Sequence, residues 1–198
     1  MSSQAGELSL FLRRWLANPL QVGAVLPSSK ALGRLVARNA VHSPESIVVE
    51  LGPGTGTITR RLIEGGASES NLYLVELDPD YAAFLRRQFP KATVIEGDAT
   101  RPCELLPAEI VGRADTVISG IPALQFPLEK QRSYMDQCFA LAKPDGQVLQ
   151  YTYSLKSPLP YRALEMAGRR LGLAVANVPP AHLWRYTRTA GMAAAAAE

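Results

Sequence analysis

A short apolar run that breaks into closely spaced glycines constrains this chain more than anything else in it. Ile47 to Leu51 is β-branched and apolar apart from Glu50, the composition of a buried parallel strand. It runs directly into Gly52-x-Gly54-x-Gly56. Glycines at that point let the backbone turn sharply from strand to helix and leave no Cβ between main chain and a ligand. The pattern predicts the first strand-to-helix turn of an α/β sheet, with a nucleotide-type ligand at the carboxyl edge. The spacing narrows it further. A dinucleotide loop reads G-x-G-x-x-G, whereas position 57 here is Thr and the third glycine falls one residue early.

Two later runs repeat the logic. Leu72 to Leu77 reads as a second buried strand ending in Glu76, about 20 residues beyond the loop, where a carboxylate can accept both hydroxyls of a ribose. Ala92 to Asp98 reads as a third, with Asp98 placed to accept from an adenine amino group. Glu50 ahead of the glycines, followed by these acids in this order, resembles motif I and its sequel in class I S-adenosylmethionine methyltransferases. The cofactor residues expected on this reading are Glu50, Gly52, Gly54, Gly56, Glu76, Leu77, Asp98 and Ala99, with Ser119 and Gly120 at the methyl-transfer end. S-adenosylmethionine would leave as S-adenosylhomocysteine.

The rest of the chain alternates between helix and strand signals. Ser28 or Ser29 caps a helix whose buried face is Leu32, Leu35 and Val36. Thr57 to Glu64 is a helix stopped by Gly65-Gly66, and Asp78-Pro79 starts another with Tyr81, Phe84, Leu85 and Phe89 as its core stripe. Ala114 to Ser119 is a fourth strand, Leu128 to Ala142 a helix, Lys143 to Gly146 a turn and Gln147 to Tyr153 a fifth strand. Leu171 to Val178 and His182 to Thr187 read as a closing hairpin-like pair. The expected fold class is α/β: a doubly wound, Rossmann-like sheet of about seven strands in a single domain over residues 1–190. The alanine-rich end, 191–198, is read as a flexible tail.

Glu7 to Asn18 is an amphipathic helix by spacing, with Leu8, Phe11, Leu12, Trp15 and Leu16 on one stripe, Arg13 and Arg14 beside it, and Pro19 as its stop. Such a helix either docks on the core or lies in a membrane interface. No apolar run approaches the ~20 residues of a membrane span, and no charged-then-apolar signal peptide opens the chain. The 2 cysteines, Cys103 and Cys138, are isolated, as in a reducing compartment. A formal net charge of +3 suits anionic partners without requiring nucleic acid.

From Glu7 to Arg188 the chain resembles bacterial phospholipid N-methyltransferases, which convert phosphatidylethanolamine to phosphatidylcholine. The resemblance rests on Gly23-Ala-Val-Leu-Pro-Ser-Ser29, Ser119-Gly-Ile-Pro122, Gln150-Tyr-Thr-Tyr153 and Asn177-Val-Pro-Pro-Ala181. It implies a phospholipid substrate, a cytoplasmic monomer without a nucleic-acid partner, and peripheral attachment to the anionic inner face of the membrane through the N-terminal helix. Glu50 to Gly56 and Val75-Glu-Leu-Asp78 are also similar to ribosomal RNA adenine dimethyltransferases, the alternative reading. That family carries an Asn-Leu-Pro-aromatic motif after the fourth strand. Here the stretch is Gly120-Ile121-Pro122-Ala123, lacking both the amide and the ring that hold a flipped base.

An ammonium acceptor must lose a proton before it attacks, and aromatic rings hold methylammonium by cation–π attraction. Tyr153 at the end of the fifth strand is the first catalytic candidate, followed by Tyr186 and His182, with Trp184 as a further ring. Lys156, Arg185 and Arg188 are candidates to meet the lipid phosphate, and Arg13, Arg14 and Trp15 to meet the membrane. No metal is expected.

Overall fold

The computed structural model describes residues 29–40, 43–154, 157–177 and 179–189. The expected N-terminal helix with Arg13, Arg14 and Trp15, as well as Lys156 and the alanine-rich end, lies outside them.

Seven strands form one sheet: β1 (Val48–Leu51), β2 (Leu72–Glu76), β3 (Thr93–Glu96), β4 (Ala114–Ser119), β5 (Ala142–Thr152), β6 (Met166–Ala174) and β7 (Ala181–Arg188). Their order across the sheet is β3-β2-β1-β4-β5-β7-β6. The pairs from β3 through β5 are parallel, and β7 runs antiparallel to both β5 and β6. The chain moves outward from β1 to β3, then returns to place β4 on the other side of β1. That reversal opens a crevice above the carboxyl ends of β1 and β4, where doubly wound sheets bind ligands.

Among the described residues four helices cover the sheet: α1 (Lys30–Ala40), α2 (Thr57–Glu64), α3 (Pro79–Gln88) and α4 (Leu128–Leu141). All four residues of β1 are buried, because both faces are covered. One face packs Leu32 and Val36 of α1, Ile58 and Leu62 of α2, and Leu85 with the following Phe89 onto Leu72, Leu74, Ile118 and Leu149. The opposite face packs Tyr134, Met135, Cys138 and Phe139 of α4 onto Val49, Leu51, Val117 and Val148.

Local signals act as their chemistry requires. Ser29 Oγ accepts from Leu32 N at 3.2 Å, and the Asp78 carboxylate caps α3 by accepting from Asp80 N and Tyr81 N at 2.9 and 3.1 Å. Three details differ from expectation. Lys143 to Gly146 falls within β5, because Ala142 already pairs with Ala114 before the register shifts and resumes at Thr116–Gln147. The first strand of the closing pair begins at Met166 and ends at Ala174. Its pairing with β7 carries an irregularity between Arg170 and Gly172, which breaks the alternation that a sequence pattern needs. The proposed stripe of α3 is buried at Leu85 and Phe89 but only partly at Tyr81 and Phe84.

Candidate active site

The three glycines after β1 all take left-handed backbone angles, with φ of 76° at Gly52, 55° at Gly54 and 70° at Gly56. This is the conformation in which a side chain is strained. Their roles separate when a Cβ is imagined on each. At Gly56 it would lie 2.5 Å from Phe89 and 2.9 Å from Leu85, so the loop is pressed onto α3 and the segment after it. At Gly54 it would meet nothing within 4 Å. The tip of the loop therefore faces open space with bare backbone, as a cradle for a cofactor must.

Glu76 ties this loop to β2. Its Oε2 accepts from Gly54 N at 2.9 Å and its Oε1 from Asp78 N at 3.0 Å. Each carboxylate oxygen retains lone-pair capacity for a further donor such as a ribose hydroxyl. Glu76 is 1% exposed, and burial raises its pKa above the ordinary carboxylate value while the backbone donors oppose that rise. Glu50 is as deep, at 2% exposed, and accepts from Thr59 Oγ1 at 2.7 Å. Burial pushes its pKa up to about 7, with the Thr59 hydroxyl opposing and Glu76 adding to the rise. A buried carboxylate poised between protonated and charged forms is suited to a cationic group such as an amino-acid ammonium. Further along the same edge, the half-buried Asp98 accepts from Thr100 N at 2.9 Å beside buried Ala99. Gly97 N bonds to Glu76 O at 2.9 Å and holds that turn next to half-buried Leu77.

The second half of the site lies at the ends of β4 and β5. A cavity of about 350 Å³ is bounded by Gly120 to Gln125 on one side and by Gln150 to Ser154 with Pro158 on the other. It joins the glycine loop at one point. A Cβ on Gly120 would stand 2.6 Å from Gly52 O and 3.0 Å from the Tyr151 hydroxyl, so that hydroxyl sits at the junction of loop and cavity. Tyr151 and Tyr153 both line the cavity, their rings edge to face with centroids 6.3 Å apart. Among the described residues no group of three or more His, Cys, Asp or Glu could hold a metal ion.

The expected catalytic residues divide. Tyr153 is at the cavity. Tyr186 is not: it is opposite Val148, 0% exposed in the core, with its hydroxyl 2.7 Å from Ser157 Oγ and its pKa raised by burial. Antiparallel β7 carries position 186 down from the carboxyl edge, which the sequence pattern did not reveal. His182 is opposite Thr152 at the edge but is 4% exposed, with Nδ1 unpartnered, and it does not line the cavity. Ser119 lies beneath the edge instead of on it, 1% exposed and accepting from the Tyr134 hydroxyl at 2.8 Å; Gly120 is the residue that reaches the cavity. Arg185 is half-buried opposite Leu149, and Arg188 packs over the Phe139 ring at 5.5 Å and donates to Phe139 O. Sequence reasoning missed Tyr151 and Gln150 as cavity residues. The signal was the Gln150-Tyr-Thr-Tyr153 run itself, whose two tyrosines share one face of β5 by period-2 alternation.

Bare glycine backbone, two buried carboxylates at the ends of adjacent strands and a neighbouring aromatic cavity define a site for a nucleoside-bearing cofactor beside an acceptor. Residues 48–146 match the methyltransferase domain family. Over 146 residues the chain is 33% identical to an ornithine lipid N-methyltransferase of Singulisphaera acidiphila, covering 72% of this chain and 76% of that one. The chain belongs to the class I S-adenosylmethionine-dependent methyltransferases. A Burkholderia thailandensis 1,6-didemethyltoxoflavin-N1-methyltransferase, solved with S-adenosylhomocysteine, shares the fold with a TM-score of 0.64 and 16% identity over 94% of this chain and 89% of that one. Other methyltransferases of this fold are longer, and this chain spans 56% and 55% of two of them. A ribosomal RNA small subunit methyltransferase A of Chlorobium chlorochromatii is 47% identical over 55 residues, which cover 28% of this chain and only 20% of that one.

Proposed function

We propose that this enzyme methylates the amine of phosphatidylethanolamine and of its mono- and dimethyl derivatives, towards phosphatidylcholine. The observation that carries the reading is the cavity beside the glycine loop, walled by Tyr151 and Tyr153. Two electron-rich rings suit a nitrogen that becomes a methylammonium, at ~0.5–2 kcal/mol each. The lipid N-methyltransferase relative supports a lipid acceptor in general.

S-adenosylmethionine supplies a methyl group already activated on a sulfonium, so the protein's task is binding, alignment and delivery of a neutral amine. The Gly52–Gly56 loop is proposed to admit the amino-acid portion, with Glu50 accepting from its ammonium. Glu76 holds the ribose and Asp98 the adenine amino group, with Leu77 and Ala99 as the apolar neighbours of the ring. Gly120 keeps the passage between loop and cavity open. Tyr151 and Tyr153 orient the acceptor nitrogen, and the Tyr151 hydroxyl relays the ammonium proton to solvent, accepting it as its own proton passes to a water. The amphipathic stretch with Arg13, Arg14 and Trp15 would hold the enzyme on an anionic membrane face, with Lys156 and Arg185 near the lipid phosphate.

Ornithine lipid is the second acceptor to test, because the relative at 33% identity acts on it. RNA is the weaker alternative: the relatives that suggest it match in part, and Gly120-Ile121-Pro122-Ala123 offers no ring to stack on a base. Vesicles of each lipid and ribosomal RNA are incubated separately with the enzyme and methyl-labelled S-adenosylmethionine. Label in phosphatidylethanolamine derivatives is the expected result. Label confined to ornithine lipid or to RNA would replace this reading with the corresponding one.

A further inference from the structure

We propose that Gln150 is the residue that recognises acceptor nitrogens still bearing hydrogen, by accepting an N–H hydrogen bond on its side-chain oxygen. Gln150 lines the cavity and is 2% exposed. Its Nε2 donates to Ile121 O at 3.2 Å, which fixes which end of the amide faces which way. The other end, Oε1, is buried and has no partner. Buried side-chain acceptors are nearly always paired, and an unpaired one calls for a water, an ion or a ligand group that completes the bonding.

The fold does not satisfy that oxygen from within. Trp184 is directly opposite Gln150 on β7, on the same face of the sheet, and its indole N–H is likewise buried without a partner. A donor and an acceptor stand in register and neither has a partner within the fold, and on this proposal the Gln150 oxygen turns to the group that enters the cavity beside it. The bound group must donate and must be compact enough for a 350 Å³ space. A lipid amine does both, so this inference rests on the acceptor proposed above.

The chemistry makes the recognition graded. Primary and secondary amines carry N–H in their neutral, nucleophilic form; a tertiary amine does not, and a quaternary ammonium has none in any form. Gln150 therefore aligns the early acceptors most strongly and gives no hold on the fully methylated product. It is a positioning residue for the amine, and the two tyrosine rings hold the later, more methylated species.

The test compares affinities in the wild-type enzyme with S-adenosylhomocysteine bound. Short-chain dimethylethanolamine lipid, whose ammonium retains one N–H, should bind roughly tenfold tighter than the trimethyl lipid. Gln150→Met should erase that preference and should slow the first methylation more than the third. Equal binding of the two lipids by wild type overturns the inference, as does a uniform slowing of all three steps in Gln150→Met, the mark of a merely structural role. Should Gln150→Met not fold, the wild-type comparison decides alone. If wild type methylates no aminophospholipid at all, the acceptor assignment itself has failed, and this inference falls with it.

Discussion

The edge formed by β1 and β2 and the edge formed by β4 and β5 face the same crevice but are built from different materials. The first is backbone and buried carboxylate: three left-handed glycines, with Glu76 fastening Gly54 N and Asp78 N. The second is side chain and space: two tyrosines, a glutamine amide and a cavity of about 350 Å³. On the proposed function the first edge holds the cofactor and the second the group to be methylated. Damage to the first edge should therefore cost cofactor binding and stability, whereas damage to the second should change acceptor use with the cofactor still bound.

Breaking the first edge gives the largest effects. Gly56→Ala forces an L side chain to φ of 70° and drives a Cβ to 2.5 Å from Phe89. Chemical denaturation should report a loss of about 3 kcal/mol, combining left-handed strain with overpacking. Glu50 gives a pH signature. Its folded-state pKa of about 7 lies above the ordinary carboxylate value of 4.5, so the folded state holds the proton more tightly. Its contribution to stability is complete below about pH 4.5 and is lost as pH rises through 7, by up to roughly 3 kcal/mol. Binding of a cationic amino-acid portion favours the charged carboxylate and should strengthen over the same rise. Glu50→Gln should flatten the stability slope of the ligand-free protein between pH 5 and 8 and weaken S-adenosylmethionine binding at pH 8, both measurable by thermal shift.

Glu76→Ala should weaken S-adenosylmethionine binding by about 1.5–3 kcal/mol in calorimetry, with some loss of stability because two backbone donors lose their acceptor. Wild-type affinity would remove Glu76 from the cofactor edge. At the second edge, Tyr153→Ala should leave that affinity unchanged while reducing turnover on aminolipid by the ~0.5–2 kcal/mol of one cation–π contact. The smallest effect sharpens the boundary of the site. Tyr186→Phe removes a hydroxyl bonded to Ser157 in the core, so denaturation should register about 1 kcal/mol and methyl transfer should be unchanged.

The same contrast governs how much could be read in advance. Glycine spacing, the acid at the end of each strand and the Asp78-Pro79 helix start are local codes, and each fell where its chemistry requires. The acceptor edge depends on register. Tyr186 and His182 occupy β7, and only the antiparallel pairing Val148–Tyr186 and Thr152–His182 determines that one is deep in the core and the other near the edge. Ser119 ended beneath the edge because Tyr134 of α4 reaches its hydroxyl from across the sequence. Gln150 stood in a recognisable run, but its unpartnered oxygen could not be read there, because it depends on the amide donating to Ile121 O in the folded chain.

The central claim is that the second edge accepts a phospholipid amine. It is tested most directly by mass analysis of total lipids from a bacterium that makes phosphatidylethanolamine but no phosphatidylcholine, before and after it expresses this chain. The account predicts that mono-, di- and trimethylated phosphatidylethanolamine appear on expression. Unchanged phospholipids, from cells in which the protein is present and binds S-adenosylmethionine, would contradict it.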